Sequence, residues 1–276
     1  EERENMFSGF RISGEVVAKQ FRNTNPDLFT EDLTRSRSRR EKLLKGWLKE
    51  PPKVLEPLAE LAVIFELSFE DVEILIMAAA PAIDPTVEDL YAYVRNNVHK
   101  RDADVGFVCN MLSMGHPGHF DQYLKRCDFD SPLRRHRLVL LELRRTEEDQ
   151  LDKNLVTRRI RAADRVLDFI RARGQEAMPQ VDESLASVCV RLRESIEIEH
   201  LGLPQTIQET IYQLGRSRTL PVVLLGPEGA GKQAIAQSVA KPVRRGILSA
   251  DLAALLNEKP EILEILLAEL FREARL

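Results

Sequence analysis

From Pro57 onward the apolar positions fall into a helical rhythm. Leu58, Leu61, Ala62 and Phe65 repeat at the i, i+3, i+4, i+7 spacing of one buried helix face. Ser68-Phe69-Glu70-Asp71 then restarts the chain, with a hydroxyl placed to accept an orphan amide of the next turn and an acid three residues on. The helix it predicts runs from Phe69 to Ala80, is nearly all apolar from Ile74, and stops at Pro81 as a central core helix. Thr86-Val87-Glu88-Asp89 repeats the capping pattern, and a further helix is predicted from Ala103 to Met114. Gly115, Pro117 and Gly118 break the chain before a short helix over Phe120–Cys127 and another begun by Ser131-Pro132. Leu138–Leu143 reads as a strand, with Val156–Ile160 as its partner or as the start of a last helix; Arg158–Arg173 reads as a basic helix ended by Gly174.

Short helices followed by a small strand pair is the order of a winged-helix unit, a three-helix bundle carrying a β-hairpin. Residues 1–41 precede it as a loosely organised arm. Its Arg35-Ser36-Arg37-Ser38-Arg39-Arg40 run is expected as a solvated face. The helical winged-helix-like domain spans 42–174, and residues 175–182, with Met178-Pro179 inside, read as a linker. A second domain, 183–276, opens with a helical pattern over Glu183–Ile196 and a helix over Thr206–Leu214. A compact apolar run follows, Leu220–Leu225, with the look of a buried strand. Gly246–Asp251 reads as another strand and Glu261–Arg275 as an amphipathic helix. The fold class is therefore a mainly α winged-helix-like domain followed by a partial α/β domain.

The 276 residues carry 40 lysines and arginines against 44 acids, a formal net charge of −4. That balance gives no global electrostatic case for binding nucleic acid or an anionic membrane. The longest apolar run, Ile74–Ile83, is too short to span a bilayer and contains Pro81, so no membrane insertion is expected. The start is acidic and polar, unlike a secretory signal. Cys109, Cys127 and Cys189 are odd in number and form no CxxC pair, which points to a reducing, cytoplasmic setting.

One motif carries chemistry. The run into Leu225 leads directly to Gly226-Pro227-Glu228-Gly229-Ala230-Gly231-Lys232-Gln233, and Ala234–Ala240 behind it is helical in composition. Strand, glycine loop and helix suit a polyphosphate: glycines let backbone amides turn toward the anion, the helix N-terminus adds its dipole, and Lys232 supplies a point charge. The loop matches G-x-x-x-x-G-K. Its last position is Gln233, where a Ser or Thr hydroxyl would ligate magnesium, so Mg²⁺ binding and turnover are expected to be weakened more than ATP or ADP binding. Asp251 follows only two apolar residues and has no second acid after it, so it is not read as a metal-organising acid.

On these residues the stretch Leu201–Leu276 resembles the first half of an AAA+ ATPase domain, with Gly226–Gln233 as Walker A and the chain ending before the Walker B strand. Leu58–Gly174, above all LAVIFELSFEDVEILIMAAAPAIDPTVEDLYAYV, is similar to the N-terminal winged-helix region of a bacterial AAA+ group associated with contractile injection systems. The resemblance implies a ring, usually hexameric, in which ATP turnover remodels or assembles a protein client or an injection-system component. Walker B, sensors and arginine finger have no positions in this sequence. No catalytic residue is therefore assigned, and the chain alone is not expected to hydrolyse ATP.

Three rival readings stand beside this one. Cys109, His116, His119 and Cys127 lie close in sequence, but their spacings fit zinc poorly. Arg134, Arg135, His136 and Arg137 form a basic cluster of the kind a DNA-binding winged helix uses, in a domain otherwise near neutral. Gln233 favours a non-catalytic adaptor that uses nucleotide as a structural clamp.

Overall fold

The computed structural model describes residues 26–113, 117–145, 151–171, 181–192, 196–216, 222–240 and 246–276. The chain divides into two compact units, Glu1–Met178 and Pro179–Leu276.

The first unit is mainly helical: α1 (Pro26–Lys49), α2 (Glu56–Ile64), α3 (Phe69–Ile83), α4 (Thr86–Val94), α5 (Val105–Ser113), α6 (Pro117–Lys125) and α7 (Pro132–Arg135). The strands β1 (Val139–Glu142), β2 (Arg144–Arg145), β3 (Leu151–Asp152) and β4 (Arg159–Ala162) follow, and α8 (Asp164–Arg171) closes the unit. The expected central helix is α3: Val72, Ile74 and Leu75 are wholly buried, and α3 packs against α5, α6, α8 and β4. Its capping box forms as the sequence predicts, with the Asp71 amide donating to Ser68 Oγ (3.2 Å) and the Ser68 amide donating to Asp71 Oδ2 (2.9 Å).

Pro81 does not stop α3, which runs on to Ile83. Proline lacks the amide that would bond the carbonyl four residues back, and the Tyr91 hydroxyl donates to that carbonyl, Met77 O, at 2.9 Å. Burial pushes the pKa of Tyr91 up to about 12. Nor does Thr86 cap α4 from outside. It is the first helical residue, and Asp84 accepts from both its amide (2.9 Å) and its hydroxyl (2.8 Å), which holds the Asp84 carboxyl below its usual range.

Three helices end on a residue in the left-handed region that is not glycine: Glu66 (φ 53°), Asn96 (φ 48°) and Arg137 (φ 49°). In each case the next amide reaches back into the last turn: Leu67 to Ala62 O (2.9 Å), Asn97 to Ala92 O (3.0 Å) and Leu138 to Leu133 O (2.8 Å). These are Schellman closures, which satisfy carbonyls that the helix leaves over.

The expected strand pair forms. β1 and β4 are antiparallel, Val139 opposite Ala162 and Glu142 opposite Arg159. The basic segment from Arg158 is thus divided between β4 and α8 instead of forming one helix, because Ile160 and Ala162 turn into the core on the alternation of a strand. On the other side of β4 lies Asp104, with the Ile160 amide donating to Ala103 O at 3.0 Å, so β4 is central and β1 sits at the edge. Together with α5 and α6, this is a winged-helix arrangement.

Of the arm expected over 1–41, residues 26–41 are not loosely organised but belong to α1, which runs from Pro26 to Lys49. Arg37, Arg40 and Leu44 share one stripe of that helix at i, i+3, i+7 and turn inward, whereas Arg35 and Arg39 remain exposed. The run reads as uniformly solvated in sequence because the partners of its inward arginines, His119 for Arg37 and Glu73 for Arg40, lie far along the chain.

The second unit contains a short 3₁₀ turn (Glu183–Leu185), β5 (Cys189–Leu192), a second 3₁₀ turn (Ile198–Leu201), α9 (Gln205–Arg216), α10 (Lys232–Ala240), β6 (Ile247–Ala250), α11 (Leu252–Leu256) and α12 (Pro260–Arg275). The helices at 205–216, 232–240 and 260–275 and the strand at 247–250 match expectation. The helical reading of 183–196 does not. Leu185, Val188, Cys189 and Leu192 have helical spacing, but β5 pairs antiparallel with β6, and Leu185, Val188 and Cys189 join Leu255 and Leu266 in a small core. The buried strand expected over 220–225 is also not found in the part described: Val222–Leu225 has no regular secondary structure and is exposed. Valine and leucine supply strand propensity, yet a strand needs a neighbour, and among the described residues none pairs with this segment.

Polar side chains complete the second unit's interior. Arg191 Nη2 donates to Glu273 Oε1 at 2.8 Å, Ser184 Oγ to Glu269 Oε2 at 2.8 Å, and Arg272 pairs with Asp182.

Candidate functional site

The glycine loop lies between the exposed segment 222–225 and α10, whose first residue is Lys232. Gly229 and Gly231 both have φ of +77°, a conformation that side-chain-bearing residues rarely adopt. Lys232 folds back over the loop, and its ammonium donates to Gly226 O at 2.9 Å and Pro227 O at 2.6 Å. The Ala230 amide donates to Pro227 O (3.3 Å), tightening the turn, and the first helical bond runs from the Ile235 amide to Gly231 O (3.0 Å). The opening turn of α10 therefore has amides with no helical carbonyl to bond, at the positive end of its dipole and next to a lysine.

This donor set fits a phosphate group: glycines at positive φ, a helix start and one cation, all solvent-accessible. Gly226, Gly229, Gly231 and Lys232 are brought together, and Pro227, Glu228 and Ala230 form the exposed turn between them. Gln233 lies in the first turn of α10, exposed, with an amide in place of a hydroxyl. Asp251 is occupied elsewhere: it caps α11, accepting from the amides of Ala253 (2.9 Å) and Ala254 (3.1 Å).

The zinc candidates do not assemble among the described residues, where no group of three or more His, Cys, Asp or Glu side chains has metal-binding geometry. Cys109 and Cys127 are buried and unbridged, and hydrogen bonding to Cys109 together with burial pushes the Cys127 thiol well up, which disfavours the thiolate a metal needs. His116 lies outside the described residues. His119 Nδ1 is 3.1 Å from Arg37 Nη2 and 3.0 Å from Gln122 Oε1.

In the winged-helix unit α5 packs against α6, and a DNA-binding winged helix would place a helix of this kind in the groove. Two side chains of α6 bond to α3, and of the described side chains of α6 Tyr123 is the buried one. Gln122 Nε2 donates to Glu70 Oε1 (2.9 Å), and Tyr123 Oη donates to Glu73 Oε2 (2.5 Å). Arg40 Nε lies 2.8 Å from Glu73 Oε1, and Arg40 Nη2 donates to Leu112 O at 3.0 Å. Burial raises the pKa of Glu73, a shift opposed by the Tyr123 hydrogen bond and the Arg40 charge. The sequence reading did not find this cluster, because Arg40, Glu73 and Tyr123 lie far apart in sequence and only packing joins them. The basic run Arg134–Arg137 is not on α6 but in α7 and the turn into β1.

No described helix is long and apolar enough to cross a membrane. A family model described as "Winged helix domain, variant" matches residues 31–196, more than half of the chain. No curated protein matches. No solved structure matches.

Proposed function

The chain belongs to the winged helix domain family in its variant form, and from that premise we propose that it binds ATP or ADP through Gly226–Gln233 as part of an AAA+ protein-remodelling or assembly ATPase. In this reading the subunits form a ring, the winged-helix unit engages protein, and the machine serves a contractile injection system in the cytoplasm. The observation that carries the reading is Lys232, set at the first position of α10 with its ammonium over a loop whose Gly229 and Gly231 stand at positive φ. Backbone amides of the opening turn would hold the phosphates and Lys232 the outermost ones. The nucleotide supplies the phosphoanhydride bond, and residues of this chain bind and orient it. Gln233 occupies the usual Mg²⁺ position with a weaker, longer ligand.

Titration with a fluorescent ATP analogue in the presence of Mg²⁺ tests this. Lys232→Ala removes a charge-assisted contact of about 1.5–3 kcal/mol, an affinity loss of roughly ten- to a hundred-fold. The thermal stability of the winged-helix unit should not change. Equal affinity of variant and parent would overturn the loop's role. Gln233 favours a second reading, a nucleotide-clamped adaptor with no turnover of its own. A large gain in ATPase rate on Gln233→Thr in the assembled protein would support a weakened motor, and no gain would support the clamp.

A further inference from the structure

We infer that the open edge of β1, with the cleft beside it, docks an extended acidic peptide segment of a partner protein. The inference is independent of the glycine loop and starts from strand order. β4 is flanked by β1 on one side and by Ala103–Asp104 on the other, so among the described residues β1 has no second neighbour. The Ala163 amide donates to Leu138 O (3.0 Å), which makes that opposed pair hydrogen-bonded. By antiparallel alternation Leu140 and Glu142 also direct their backbone groups at β4, while Val139 and Leu141 direct theirs outward.

A cleft of about 290 Å³ lies against this strand, and all of Val139, Leu140, Leu141 and Glu142 line it. Side chains alternate between faces, so one face would contribute only every second residue. Four consecutive residues on one cleft mean that the backbone edge itself forms the wall. The other wall is Phe129, Arg134 and Arg137. Phe129 is 75% exposed, and the Arg134 guanidinium sits 5.6 Å from its ring centre.

The charge of the cleft favours an acid. Burial and the nearby Arg158 both disfavour the Arg134 cation, with Cys127 and Asp128 acting in the opposite sense. Glu142, the acid on the strand, is engaged by Arg161 Nε (2.6 Å) and Arg159 Nη1 (3.5 Å). Arg137 occupies the left-handed closing position of α7, where glycine would be more comfortable by about 1 kcal/mol. An extended peptide can satisfy the outward groups of Val139 and Leu141 by strand addition while its carboxylates meet the arginines. A nucleic-acid backbone would use the arginines but leave the strand edge unsatisfied.

The test is fluorescence anisotropy of the intact chain with a short labelled peptide of alternating glutamate and valine. Two further peptides carry N-methyl groups on alternate residues, one in each register, and another replaces glutamate by lysine. A labelled single-stranded oligonucleotide is the competing class. The expected result is binding of the glutamate peptide, lost about tenfold or more in one N-methyl register and retained in the other, with little binding of the lysine peptide or the oligonucleotide. Arg137→Gly removes the charge while relieving the backbone, so it should weaken the peptide about tenfold without lowering the melting temperature. The proposal is overturned by no binding of the glutamate peptide, by equal behaviour of the two N-methyl registers, by an oligonucleotide or lysine peptide that binds as well, or by unchanged affinity in Arg137→Gly.

Discussion

Replacing Gly106 by alanine should destabilise the winged-helix unit through a single contact. Gly106 is the second residue of α5, and its amide donates to Val156 O at 2.8 Å, clasping the segment that leads into β4. A β-carbon at this position would lie 2.5 Å from Val156 Cγ1 and 3.1 Å from Val156 O. The carbonyl cannot retreat without lengthening the hydrogen bond, and the valine side chain has little rotameric freedom. Overpacking of this kind costs about 1–3 kcal/mol, and the helix preference of alanine over glycine returns up to about 1 kcal/mol. The net loss is therefore about 1 kcal/mol, or roughly 3 °C in melting temperature for a unit of this size. In a Val156→Ala background the obstructing methyl is gone, so Gly106→Ala should become neutral or stabilising, and the double-mutant cycle should give a coupling of about 1–2 kcal/mol. Urea unfolding of the four proteins measures it. The same energetic effect of Gly106→Ala in both backgrounds would refute the steric argument, and stabilisation in the parent would refute it more strongly.

Two further outcomes follow from the core of the same unit. Ser68→Ala removes one half of the capping box of α3 and should cost about 1 kcal/mol in urea unfolding, while Ser68→Thr, which keeps the hydroxyl that both accepts from the Asp71 amide and donates to its carboxylate, should retain most of the stability. For Glu73 the sign is set by its raised pKa. Between the ordinary glutamate value of 4.5 and the higher folded value, the native state keeps a proton that the unfolded chain has released, so this group's contribution to stability falls as pH rises through that window and is level above it. Glu73→Gln has no such proton. Its stability relative to the parent should therefore improve from pH 4.5 upward, and a difference that is constant or moves the other way in pH-dependent urea titrations would contradict the assignment.

Much of the helical frame is legible in the sequence where local chemistry and packing agree. Ser68 and Asp71 announce α3 because both halves of the box lie within four residues, and Leu58, Leu61 and Phe65 mark a face that packing then buries. Helix ends are harder to read, because Glu66, Asn96 and Arg137 stand where a glycine would have signalled the stop. The segment 183–196 misleads because the spacing of Leu185, Val188, Cys189 and Leu192 is equally the spacing of a turn followed by a strand, and β6, much later in the chain, decides between them. Arg37 and Arg40 belong to the same class of long-range effect. Among the candidate site residues, the glycine spacing accounts for the positive φ of Gly229 and Gly231, whereas the isolation of Val222–Leu225 is a question of strand neighbours that no local pattern contains.

If the loop holds a nucleotide as proposed, the two carbonyl oxygens that cup the Lys232 ammonium set a threshold for the incoming phosphate. A cation already surrounded by its own backbone yields only to a better set of oxygens, so a neutral or weakly polar molecule gains no foothold there. On the proposed nucleotide-binding role, selection for an anion would be a competition that the resting protein stages against itself, and the same internal grip would keep the turn in shape when the loop is empty.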